Sequence, residues 1–163
     1  MQNRKITRRS FLGAAGVAIG APYIIPASAL GKEPGKAAPS GRVAIAGIGC
    51  GGRGTYDMDR LVRYGAQMVA LCDVNKNNLA RAMKRYKVAA SAAGSDFRQI
   101  VTRKDVDAVL VATIDHWHVL IALAALKAGK DIYVEKPLGK NIGEGRALLD
   151  AVRKTDRIFM HGT

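Results

Sequence analysis

The sequence predicts an α/β fold over residues 41–163, a parallel sheet with helices on both faces. Three observations predict it. Short continuous apolar runs such as "RVAIAGIG" and "DAVLVAT" are typical of strands buried on both sides. Other stretches repeat their apolar residues every three or four positions, the helical period. The two kinds of segment alternate, which builds βαβ units, and right-handed crossovers then wind helices onto both faces.

In chain order, "RVAIAGIG" is the first strand, and Met58, Leu61 and Val62 mark the helix after it. "QMVALCD" is the second strand, followed by a helix with the stripe Leu79, Ala82, Met83 and Tyr86. "KVAASAAGSDF" should hold a third strand, but it is rich in Ala and Ser, so a short or irregular strand near Val88 is expected, then a helix from Phe97 to Val101. "DAVLVAT" is a strand. Val119, Ala122, Leu123 and Leu126 mark the next helix, closed by Gly129. "DIYVE" is a strand. Asn141 and Glu144 have the spacing of an N-cap and its capping-box partner, opening a helix with Leu148, Leu149 and Val152. "RIFMHG" is the last strand.

Residues 1–29 read as an export signal. A basic start ends in Arg8-Arg9, an apolar run extends from Phe11 to about Ile25, and Ala27-Ser28-Ala29 supplies the small residues a signal peptidase accepts. "TRRSFLG" resembles the twin-arginine motif, so export to the periplasm or beyond is expected, with membrane contact only in transit. Residues 30–40, "LGKEPGKAAPS", read as a linker.

"AGIGCGGRG" contains Gly47, Gly49 and Gly52 in G-x-G-x-x-G spacing, after a strand and at the start of a helix. That context gives a Rossmann-type dinucleotide site: Gly47 for the turn, Gly49 for close approach of a pyrophosphate, Gly52 for helix–strand packing. Gly51 and Gly54 open the loop further, and Arg53 either contacts a phosphate or points to solvent. Asp73, 26 residues after Gly47, ends the second strand where an acid bonds the adenosine ribose; the usual spacing is about 20. Its charge favours NAD over NADP, although Lys76 and Arg53 leave NADP open.

Two more motifs fall at the carboxyl ends of strands, where ligands of open α/β sheets bind: "ATIDHWH" and "EKPL". Pro137 ends the strand and directs Lys136 outward. With the glycine loop, Asp73, Ala112 to His118, Ala128-Gly129-Lys130 and Glu135 to Leu138, the chain resembles the Gfo/Idh/MocA oxidoreductases, from about Arg42 to the C-terminus. The family often has proline where Ile114 stands.

The resemblance implies that Lys136 bonds the substrate hydroxyl beside the nicotinamide and, with a lowered pKa, assists proton removal. It implies that Glu135 lines the cofactor site and that Thr113, Asp115 and His118 pack along the nicotinamide half. His118 also reads as a helix-start residue without chemistry. A metal cluster of Asp115, His116 and His118 has too few ligands, and none is expected. The family's second α/β domain, which forms the substrate pocket and the oligomer contacts, is not in this sequence. The expectation is therefore that the chain binds dinucleotide without turning over a sugar by itself.

The function expected of the family is NAD(P)-dependent hydride transfer between nicotinamide and a sugar or polyol hydroxyl. The alternatives are an NAD-retaining glycosidase of the oxidation–elimination type, as in glycoside hydrolase family 109, and a non-catalytic nucleotide-binding module. The net charge of +13 comes from 26 basic and 13 acidic residues. The basic residues are scattered without interleaved aromatics, which argues against nucleic acid as partner. Cys50 and Cys72 form no disulfide framework and suit small buried positions.

Overall fold

The structure, a computed structural model, describes residues 41–163; the segments read as export signal and linker lie outside the described residues. Six strands form one sheet: β1 (Ala44–Ile48), β2 (Gln67–Cys72), β3 (Ala93–Gly94), β4 (Ala108–Val111), β5 (Asp131–Val134) and β6 (Phe159–His161). Their spatial order is β3-β2-β1-β4-β5-β6, and every neighbouring pair is parallel. The order reverses between β1 and β4, so a crevice opens at that switch point, beyond the carboxyl ends of the strands.

The helices are α1 (Gly52–Arg63), α2 (Lys76–Tyr86), α3 (Phe97–Val101), α4 (His118–Lys127) and α5 (Ile142–Arg153). Alternation along each strand gives two cores. On one face Ala46, Ile48, Val109, Val111, Ile132 and Val134 pack against α3, α4 and α5. On the other Ile45, Met68, Leu71 and Leu110 pack against Met58 of α1 and Ala82 of α2.

Helix α4 is buried on more sides than its stripe foretold: Ile121 and Ala125 join Val119, Ala122 and Leu126 in the core. It stops in a Schellman turn, with Gly129 at φ 72° donating to Leu126 O and Lys130 donating to Ala125 O.

Four local expectations change. The third strand is two residues long at Ala93–Gly94, five positions beyond Val88, after a 3₁₀ turn over Ala90–Ala92. Val62 and Leu149 are exposed, because the helix surfaces they occupy have no layer over them among the described residues. Asn141 does accept from the Glu144 N–H, but Glu144 returns its bond to the Lys140 N–H rather than to that of Asn141, so the capping box closes one residue early. Finally, no described helix covers β5 and β6 on the α1 face, and Met160, Ile158 and Tyr64 are exposed there.

Candidate functional site

The β1–α1 loop is shaped by close backbone approaches. Gly49 has φ 93°, a conformation that side chains other than glycine's rarely adopt, and a Cβ there would overlap the Ala112 carbonyl after β4. Its N–H donates to Cys72 O at 2.8 Å, binding the loop to the end of β2. The glycine roles differ from those expected. Gly47 lies within β1, and a Cβ there would meet Met58 Sδ, so Gly47 rather than Gly52 admits the helix. Gly54 is the second packing glycine, since its Cβ would strike the Gly49 carbonyl. A Cβ on Gly51 or Gly52 would meet nothing within 4 Å, so those positions face open space.

That space belongs to a cleft of about 610 Å³, lined by Gly49, Gly52, Arg53, Asp73, Phe97, Thr113 and Trp117 among others. No side chain caps α1 and its first turn carries no acid, so its N–H groups and positive dipole end remain for an anion. Asp73 is fixed at the cleft wall: Oδ2 accepts from Cys50 N and Oδ1 from Asn75 N, each at 2.7 Å. Each carboxylate oxygen keeps a lone pair for a ribose hydroxyl. A pyrophosphate over open glycines and a ribose on an acceptor-only carboxylate both fit these groups. The Cys50 and Cys72 thiols beneath are each pushed up to about 12, by burial first and then by the Asp73 charge.

Of the other predicted residues, only Thr113 lines the cleft; Asp115, His118, Glu135 and Lys136 do not. Thr113 stands at its edge, Asp115 begins an exposed 3₁₀ turn, and His118 starts α4 at 1% exposure. The His118 ring faces two backbone carbonyls, Pro137 O at 2.7 Å from Nδ1 and Thr113 O at 3.1 Å from Nε2. It thus ties the β4–α4 loop to the β5–α5 turn. Asp115 and His116 are exposed, and no group of residues suited to a metal ion occurs among the described residues.

Lys136 follows β5 on that turn, is exposed, and precedes a cis bond to Pro137. Glu135 is buried at 2% exposure. Its Oε1 accepts from Arg53 Nη2 at 2.7 Å and Tyr133 OH at 3.3 Å, while Oε2 accepts from Lys136 N at 3.2 Å. Burial pushes the Glu135 carboxyl up, but the Arg53 hydrogen bond, the Lys136 N–H and the Arg53 charge outweigh it and hold the group below the usual range. Arg53 is thus tied to Glu135 while its half-exposed side chain still borders the cleft. Sequence reasoning missed this pair because its partners lie 82 residues apart.

Residues 42–163 match the family model described as "Oxidoreductase family, NAD-binding Rossmann fold". Among similar curated proteins is a glycosyl hydrolase family 109 protein of Solibacter usitatus, 36% identical over 129 residues, covering 73% of this chain and 30% of that protein. Another is the alpha-N-acetylgalactosaminidase of Shewanella oneidensis, 30% identical, covering 95% of this chain and 39% of the relative. The chain thus spans about a third of the length of these relatives. Among solved structures, the apo scyllo-inositol dehydrogenase from Lactobacillus casei superposes with TM-score 0.69 at 25% identity, and a probable dehydrogenase from Thermotoga maritima with 0.67 at 27%. Each superposition covers 74% of this chain and 36% of the other. With the switch-point crevice, the open glycine loop and a family match across all but the first residue described, the chain belongs to the Gfo/Idh/MocA oxidoreductases, in their NAD-binding Rossmann domain.

Proposed function

We propose that the chain is the dinucleotide-binding part of an exported NAD-dependent oxidoreductase acting on a sugar or polyol. The observation that carries this reading is the pairing of an uncapped α1 over open glycines with the fixed Asp73 carboxylate across one cleft. NAD bound there supplies a hydride acceptor. The α1 N-terminus holds the pyrophosphate, and Asp73 takes the ribose hydroxyls while opposing a 2′-phosphate. Of the two cations weighed for that phosphate, Arg53 is bonded to Glu135, which favours NAD further. The Lys136 amine, on the turn after β5 at the same sheet edge, accepts the proton of the substrate hydroxyl as hydride leaves the same carbon. Thr113 lies at the rim of the cleft, and Asp115 and His118 shape the loop beside it.

A second reading shares these steps. The similarity to family 109 glycosidases favours a cycle in which the same hydride returns to the sugar after elimination. The twin-arginine segment, a transport route for folded proteins, supports loading of NAD before export. Substrate, oligomer contacts and turnover belong to the whole protein.

Calorimetric titration with NAD and NADP tests the binding step; tighter binding of NADP would overturn the Asp73 assignment. In a full-length protein carrying this domain, Lys136→Ala should lower kcat by about 10²–10⁴-fold, the usual worth of a general base. Retained activity would remove Lys136 from the proposed chemistry. Net production of NADH with sugar supports the dehydrogenase, and catalytic NAD without net reduction supports the glycosidase.

A further inference from the structure

Arg53 borders both the dinucleotide cleft and a second hollow of about 480 Å³ that Asp57, Tyr56 and Tyr133 also line. On the second side it meets two carboxylates. Its Nη2 donates to Glu135, and its Nε lies 3.2 Å from Asp57 Oδ2. Asp57 is 6% exposed, and that oxygen has the ion contact but no hydrogen bond. Two buried acids thus share one guanidinium. Next along the chain is Lys136, whose N–H already reaches Glu135 and whose amine has no partner among the described residues.

We propose that Arg53 is a positioning residue: by occupying Glu135 it keeps the adjacent Lys136 amine unpaired at the sheet edge. This rests on the reading of Lys136 as the group beside the nicotinamide. A buried carboxylate stripped of its partner attracts the nearest cation, because Coulomb attraction grows as solvent is excluded. With Arg53 gone, that cation is Lys136. Its amine would fold back onto Glu135 and be lost to a substrate hydroxyl. The charges are ordered to match. Glu135 is held below the ordinary range and stays ionised, while Asp57 is raised, by burial first and then by the Glu135 charge. Since Arg53 lies in the first turn of α1, just after the glycine loop, a residue of the phosphate-binding helix also governs the amine on the turn after β5.

The test is competitive acylation of lysines in the full 163-residue chain without NAD, with exposed Lys84 as internal reference, read by mass spectrometry. Arg53→Ala should slow labelling of Lys136 about tenfold relative to Lys84, as pairing with a carboxylate withdraws the free amine. Arg53→Lys should retain the native rate. Arg53→Ala combined with Glu135→Gln should restore it, and this double variant leaves no orphaned carboxylate at Glu135, so it also decides the matter if Arg53→Ala fails to fold. An unchanged or faster Lys136 rate in Arg53→Ala, or a slow rate persisting in the double variant, would overturn the proposal. NAD titration separates the readings. A guanidinium bonded to a phosphate is worth about tenfold or more in affinity, so such a loss in the folded double variant would make Arg53 a phosphate ligand and overturn the positioning role. Failure of the native chain to bind NAD would sink the proposed function, while the acylation rates would still judge Arg53.

Discussion

The glycine loop and the Lys136 turn stand at the carboxyl ends of β1 and β5, with β4 between them, and are held by opposite means. The loop is fixed by backbone: Gly49 against Ala112, Gly54 against Gly49, and the Gly49 N–H on Cys72 O. The turn is fixed by side chains that arrive from elsewhere, Arg53 from α1 onto Glu135 and His118 from α4 onto Pro137 O. Steric fixation leaves no room for a larger residue and does not respond to protons. Fixation by charge and hydrogen bonds tolerates changes of shape but depends on protonation and on every partner being present.

The largest effect should come from the steric side. Gly54→Ala sets a methyl on the Gly49 carbonyl, and neither backbone can yield cheaply. A loss of about 3 kcal/mol or more is expected in urea unfolding, with the β1–α1 loop displaced. Stability within about 0.5 kcal/mol of native would mean that the loop is adaptable and the contrast false.

Thiol labelling sharpens the same comparison. Cys50 and Cys72 sit with thiols raised from 9.0 to about 12, so native labelling with a disulfide reagent at pH 8 should be slower than in urea by about three orders of magnitude. Ready reaction of the native protein would show that the loop opens.

On the tethered side, His118→Phe removes the ring nitrogens that face Pro137 O and Thr113 O, and with them the tie between the two loops. It should cost about 2 kcal/mol in urea unfolding. Hydrogen exchange should quicken over residues 135–140 and stay unchanged over 49–54. Equal quickening in both segments would erase the distinction.

The smallest effect concerns Asp57. Its folded-state pKa is raised, so ionisation costs stability as pH rises through that value, and the protonated form carries no such cost below the unfolded value. Asp57→Asn removes the charge, so it should stabilise slightly at pH 7 and lose that advantage near pH 3. Glu135 runs the other way: its lowered pKa contributes stability above the unfolded value, lost as pH falls through the folded one. Urea midpoints across pH 3–8 check both signs.

The contrast also explains what could be read from the sequence. Five of the six strands and all five helices follow from period and caps, which are local properties. The third strand does not: "SAAG" has little β propensity, and Ala93 and Gly94 become a strand only by pairing with Leu71 and Cys72. The glycine motif announced the cleft, yet which glycine meets which neighbour depends on how α1 lies on β1. Arg53 with Glu135 and His118 with Pro137 join residues that no spacing rule relates. A buried Glu beside an exposed Lys in "EKP" was the available signal for the first, since a buried carboxylate requires a donor.

The strip of Tyr64, Ile158 and Met160 beside β6, exposed among the described residues, has a bearing on handling in solution. With a chain charge of +13, copies repel one another in dilute buffer. Added salt shortens the reach of that repulsion, to about 3 Å at 1 M, and lets oily surfaces meet. For the 163-residue chain, dispersal in low salt and clustering in high salt follow from one edge of the sheet that no described element covers.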